Sequence, residues 1–171
     1  MKNILTILIL ITFCTFVAII STGEFFLSSI LFKCMLISFT IHLLMFIPSN
    51  IFQTEKYYDI TGTISFIAII SYAYFSNNNI YNDTLRANIL FFIILIWTLR
   101  LGFFLLYRIL KVGEDQRFKE LKKKTISFMV PWTLSAMWVF ITASPALIAI
   151  ESPEKVGVDN FLIGGFVLWI F

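Results

Sequence analysis

The chain has one histidine, two cysteines and only 13% charged residues among its 171. Each scarcity excludes something. The lone His42 rules out a multi-histidine metal centre, and with so few partners no Cys/His or Ser/His/Asp nucleophilic set is visible. Cys14 and Cys34 lie in apolar runs without metal-ligand spacing or company, so they read as packing residues. Seven glycines and four prolines leave little room for a disordered linker. No glycine-rich loop precedes a helix, and Gly164-Gly165 reads as close helix packing rather than a nucleotide cradle. No internal repeat is visible, nor a symmetric pair of broken helices of the transporter kind.

Apolar residues dominate instead: 59% hydrophobic, with 20 Phe and a mean hydropathy of +0.90. No soluble core needs so many long apolar runs. The composition predicts an all-α, polytopic membrane bundle, a single domain over 1–171, with membrane lipid as its surroundings. A net charge of +3 would suggest nucleic acid in a soluble protein. Here the basic residues flank the apolar runs, which the positive-inside rule explains, so no nucleic-acid partner is expected. A homo-oligomer is left open.

The runs predict helices over 4–20, 25–47, 60–75, 88–110 and 126–150, with a sixth beginning at Phe161. That gives five full spans and a sixth whose eleven residues cover only about 16 Å of a roughly 30 Å hydrocarbon core, a truncated helix. Gly23 and Glu24 would turn the first two into a hairpin, Pro48 would end the second, and Ser76 to Asp83 reads as a turn-rich loop. Pro131 and Trp132 read as the entry of the fifth helix, and Pro145 as a kink near its end. The polar segment 111–125 carries four lysines in its second half and enough apolar residues for a short surface helix. With the N-terminus in the cytoplasm, nine of the Lys and Arg residues fall inside against two outside. The N-terminus and the 111–125 loop are therefore expected to be cytoplasmic.

The stretch from Trp97 to Phe118 carries the most chemistry. If 88–110 is one helix, Arg100, Tyr107 and Lys111 share a face, flanked by Trp97 and Arg108. Arg100 sits well inside an apolar run, at a cost of roughly 2.5–3.5 kcal/mol, so it should face protein, a partner or an anion rather than lipid. Past Gly113 follow Glu114, Asp115 and Arg117, a polar turn suited to a phosphate-bearing ligand. In the second helix Lys33 and His42 are the unusual residues; each reads as bonded to a neighbour or snorkelling, with ligand contact as the other reading. Upstream of the third helix, Glu55, Tyr58, Asp59 and Gly62 would share one face if that helix reached back to Glu55. Asp59 reads either as the N-cap of the third helix or as a site residue.

The segments EKYYDITGTISFI (55–67), WTLRLGFFLLYRILKVGEDQRF (97–118) and WTLSAMWVF (132–140) resemble the DUF1295 family of membrane proteins. That family is related to the steroid 5-alpha-reductase C-terminal domain and, more distantly, to isoprenylcysteine carboxyl methyltransferases. The resemblance rests on Arg100, Gly102, Arg108, Gly113, Asp115, Arg117 and Phe118, supported by Glu55 and Asp59, and covers the chain from about Glu55 onward. It implies a membrane reductase that uses NADPH on the C=C bond of a lipophilic enone, steroid-like or isoprenoid-like. The cofactor would be held by Arg100, Tyr107, Arg108, Asp115 and Arg117. The carbonyl donor would come from the catalytic set Glu55, Tyr58 and Asp59, Glu55 keeping its proton near apolar surroundings. An S-adenosylmethionine-dependent methyltransferase of related fold, or a non-enzymatic membrane protein, is the alternative. The sequence departs from the family in lacking a Ser-Arg-His-Pro-Asn-Tyr-x-Gly-Glu-like segment after the sixth helix, which reads as a missing C-terminal cofactor region.

Overall fold

The computed structural model describes residues 2–22, 29–76, 85–151 and 160–170. Among these the fold is all-helical: α1 Lys2–Thr22, α2 Ile30–Ile51, α3 Tyr58–Ser76, α4 Leu85–Val112, α5 Thr125–Glu151 and α6 Asn160–Ile170, with 3-10 turns at Gln116–Phe118 and Leu121–Lys123. The expected Gly23-Glu24 turn and the 76–83 loop lie almost wholly outside the described residues. Four helices, α1, α2, α4 and α5, are long and apolar enough to cross a membrane, which makes this an integral membrane protein. α3 is shorter and more polar, and it packs against α2, α4 and α5. A helix wrapped by its neighbours needs less lipid-compatible surface. It carries hydroxyls because partners absorb them: Ser65 donates to Ser38 Oγ at 3.1 Å, and Ser38 to the Ala136 carbonyl at 3.0 Å. The expectation of an all-α membrane protein thus holds, and among the described residues four helices meet the length and apolarity of a span.

One core fills the α1–α2–α3–α5 contact, with Phe66, Ile69, Ile70, Phe140 and Leu147 among its buried residues. Cys14 and Cys34 are both buried there as free thiols, as the composition implied. A second, aromatic cluster lies at the lysine-rich end. Phe46 meets Phe128 at 5.7 Å, Tyr58 meets Phe118 at 5.0 Å and Trp132 at 5.4 Å between centroids. Because Phe118 belongs to the first 3-10 turn, this cluster ties the 113–124 loop to α2, α3 and α5. The loop is two short turns and not the surface helix expected.

Prolines fall inside helices more than the sequence suggested. α2 runs through Pro48 and stops where Gln53 takes a φ of +51°. Phe52 N–H bonds the Pro48 carbonyl at 2.9 Å and Thr54 N–H bonds Ser49 at 3.0 Å, closing the helix end. Pro131 lies in the second turn of α5 rather than at its entry, and Pro145 is also internal. The start of α3 has a functional consequence. α3 begins at Tyr58, so Glu55 stands outside the helix, and Tyr58, Asp59 and Gly62 share a face without it.

α4 approaches α3 closely at Gly102, where a Cβ would meet Thr63 Cγ2 at 2.5 Å. It barely touches α5. Between these three helices a groove stays open.

Candidate functional site

The groove encloses about 440 Å³. α3 contributes Tyr58, Asp59, Gly62, Thr63 and Phe66; α4 contributes Trp97, Thr98, Leu101 and Leu105; α5 contributes Leu134, Ser135, Trp138, Val139 and Thr142. Each helix lines it over about eight residues, or about 12 Å. Its walls are mostly apolar, and Leu134 and Trp138, 46% and 65% exposed, form a lip on the outside of the bundle. A lipophilic molecule could enter sideways from a bilayer.

One end of the groove is polar. Tyr58 Oη donates to the Pro131 carbonyl at 3.0 Å. Ser135 lies beside it, one helical turn on, and its hydroxyl is 3.1 Å from His42 Nε2. His42 Nδ1 is 2.8 Å from the Ser38 carbonyl, which only accepts, so Nδ1 carries the proton and Nε2 accepts from Ser135. His42 is thus bonded to neighbours on both nitrogens and 1% exposed, the first of the two readings its sequence position allowed. Lys33 is half-buried.

At the same end Asp59 pairs with Arg108 at 3.0 Å. Asp59 is in the first turn of α3 and does not cap it. Its partner also lines a second, polar cleft of about 360 Å³ with Ile109, Glu114, Asp115, Gln116 and Arg117. The Asp59–Arg108 pair is therefore a wall common to the groove and the cleft. In the cleft Asp115 caps the first 3-10 turn by accepting from Arg117 N–H, and its Oδ1 also accepts from Arg117 Nε, both at 3.0 Å. That side-chain bond to Arg117 holds the Asp115 carboxyl below its usual value, and Asp115 pushes Arg117 further up. Arg108 and Arg117 remain 43% and 71% exposed at their side chains, so both keep N–H donors turned to water.

Glu55 holds this arrangement from beneath. Its side chain is 2% exposed; Oε1 accepts from the Asp115 backbone N–H at 2.8 Å and Oε2 from Lys122 at 2.7 Å. Lys122 also reaches Glu114 at 2.9 Å. Burial pulls the Lys122 ammonium down, but Glu55 and Glu114 outweigh it and hold it above its ordinary value. Lys122 in turn holds the exposed Glu114 carboxyl below its ordinary range. Glu55 thus has both oxygens engaged by the loop and does not line the groove beside Tyr58, where a donor was expected. The reason is that α3 begins only at Tyr58, which leaves Glu55 in the connection from α2.

Of the residues expected to hold a cofactor, Arg108, Asp115 and Arg117 come together. Arg100 and Tyr107 do not join them. They share a face, as the helical spacing required, but it is the outward one: Tyr107 is 65% exposed, with Lys111 6.0 Å above its ring. Arg100 is exposed on the same face and lines neither cavity. Residues that the sequence did not single out are Thr98, Ser135 and Lys122. Gly62 and Gly102, small residues on facing helices, were the available signal for a groove. Among the described residues no group of His, Cys, Asp and Glu is placed to hold a metal ion.

A family model described as a protein of unknown function, DUF1295, matches residues 45–171. No curated protein and no solved structure matches the chain.

Proposed function

The chain belongs to the DUF1295 family, and on that footing we propose that it is a membrane-embedded reductase that uses NADPH on the C=C bond of a lipophilic enone. The observation that carries the reading is the common wall at Asp59–Arg108. An apolar groove and an arginine-lined polar cleft meet at one ion pair, so a lipophilic molecule and a phosphate-bearing one would face each other there. NADPH, bound in the cleft, supplies the hydride. The donor set fits its phosphates at Arg108 and Arg117, whose exposed guanidinium groups have N–H donors to spare. Asp59 and Asp115 orient those two arginines.

Tyr58 is our candidate for the carbonyl donor. Its hydroxyl stands at the polar end of the groove on a bond to the Pro131 carbonyl that it can exchange for one to the substrate. As the double bond is reduced, negative charge develops on the substrate oxygen, and a fixed donor there lowers the barrier. Ser135, its proton committed to His42, lines the groove beside Tyr58. Glu55 is assigned to holding the loop that carries Asp115 and Arg117. We take α3 as a fifth span and place the lysine-rich end in the cytoplasm, where the nine-to-two distribution of basic residues puts it and where soluble NADPH is found.

The test is a titration of the protein in nanodiscs, read by tryptophan fluorescence, with NADPH and with S-adenosylmethionine. Saturable NADPH binding weakened at least about tenfold by Arg117→Ala supports the reading, a loss in the range of a charge-assisted hydrogen-bonded contact. Binding of S-adenosylmethionine instead would favour the methyltransferase. NADPH affinity unchanged in Arg108→Ala and Arg117→Ala, with the fold intact, would remove the cleft as the cofactor site.

A further inference from the structure

Arg100 is the arginine of the 97–118 stretch that neither the groove nor the cleft uses. Its helix, α4, carries Arg86 in its first turn and Lys111 in its last. At the helical rise Arg100 stands about 21 Å from the first and about 16 Å from the second, near the middle of a roughly 30 Å hydrocarbon core. That is deeper than an arginine can snorkel. Arg100 is nevertheless exposed. It shares the outward face of α4 with Ile96, Phe103, Phe104 and Tyr107, all exposed as well, while Gly102 holds the opposite face against Thr63 of α3. Among the described residues no ion pair reaches Arg100, and α4 contains no acidic residue. A bare guanidinium at this depth is costly and calls for a counter-group.

The described carboxylates of the chain do not supply one. Asp59 is committed to Arg108, two turns nearer the lysine-rich end, the acids of the 113–124 loop lie beyond it, and Glu151 closes α5 at the far end. A second copy in the same orientation brings the same carboxylates at the same depths. We propose that the outward face of α4 docks a membrane-spanning helix of a different protein, one that carries a glutamate or aspartate at mid-depth. The carboxylate pairs with Arg100, the partner's apolar side chains cover Ile96, Phe103 and Phe104, and Tyr107, two turns on, offers a further hydrogen bond along the same seam. Charge complementarity selects this occupant. In hydrocarbon an unpaired carboxylate is as unfavourable as an unpaired guanidinium, so each helix relieves the other. A lipid headgroup fits less well, because its phosphate stays at the membrane boundary while Arg100 lies at mid-depth. The docking face is independent of the reductase reading, since Arg100 lines neither cavity.

Two probes test it: a synthetic leucine–alanine helix of about 23 residues with glutamate at its midpoint, and the same helix with glutamine there. Each carries a dansyl group and is mixed with the full chain in phosphatidylcholine vesicles, where association is read as energy transfer from the chain's tryptophans. The native chain should hold the glutamate probe about fivefold more tightly than the glutamine probe. Arg100→Leu, which adds an apolar side chain to a lipid-compatible face and should keep the fold, should remove the preference, and Arg100→Lys should retain it. Equal affinity for the two probes in the native chain overturns the proposal, as does a preference that survives in Arg100→Leu. Loss of the preference when phosphatidylglycerol replaces part of the phosphatidylcholine also overturns it, by showing that lipid headgroups take the guanidinium instead.

Discussion

Replacing Lys122 with methionine should release the loop that carries Asp115 and Arg117. In the native chain the Glu55 carboxylate, 2% exposed, is matched by an ammonium that is itself only 13% exposed. Solvent screening is therefore weak, and removing one member of such a buried pair costs about 3–5 kcal/mol because the other charge stays buried. The Asp115 N–H bond to Oε1 survives the substitution, which places the expected cost at the lower end, about 3 kcal/mol. Glu55 regains water by letting the loop lift, so the cost should appear as local opening rather than global unfolding. At 1.36 kcal/mol per tenfold, amide exchange over 113–121 should accelerate by about 10²-fold. Exchange in α5 near Ala136 should stay the same. The double variant Glu55→Leu with Lys122→Met should recover most of the protection, since an apolar pair of similar volume carries no unpaired charge. Protection in Lys122→Met within threefold of native would show that Glu55 is not sealed under the loop, and the reasoning would fail with it.

Gly102→Ala should destabilise the bundle by about 1–3 kcal/mol, because the new Cβ would stand 2.5 Å from Thr63 Cγ2 and a β-branched side chain on a helix has little freedom to yield. Thermal unfolding in detergent checks this, and Thr63→Ala in the same chain should restore the midpoint. The loop's response to pH follows from shifts of opposite sign. Asp115 and Glu114 are depressed, so their contribution is complete above the ordinary glutamate value of 4.5 and lost as pH falls through the lowered ones. Lys122 is raised, so its contribution is complete below the ordinary lysine value of 10.5 and lost as pH climbs through the raised one. Protection of 113–121 should accordingly be flat between those limits and fall outside them; a step near neutral pH would contradict the assignment. Asp59→Asn should leave the fold intact and cost little stability, at most about 1 kcal/mol, since Arg108 is 43% exposed. It should weaken NADPH binding by leaving Arg108 unoriented, which the same fluorescence titration reads.

The helices were legible because hydropathy alone defines a membrane span: the apolar runs at 4–20, 88–110 and 126–150 each lie within an observed helix. Charge was legible in kind and not in pairing. Arg108 and Asp59 are 49 positions apart, and Glu55 and Lys122 are 67 apart; nothing local in either segment names the other. Glu55 was expected on the face of α3 because the spacing from Tyr58 and Asp59 is helical. The helix begins only at Tyr58, so Glu55 lies in the connection from α2 and off that register. The groove escaped notice for a related reason. It exists because α4 leans on α3 at Gly102 and away from α5, a tertiary choice that leaves no periodic trace.

The central claim is that the groove and the cleft act together across the Asp59–Arg108 wall. The most direct measurement is the consumption of NADPH by the protein in nanodiscs on addition of a cyclohexenone carrying a hexyl chain, with Tyr58→Phe beside the native chain. The account predicts enone-dependent oxidation of NADPH in the native protein and loss of at least about 10²-fold in Tyr58→Phe with NADPH binding retained. Saturable binding of both molecules with no turnover, or turnover indifferent to Tyr58, would contradict it.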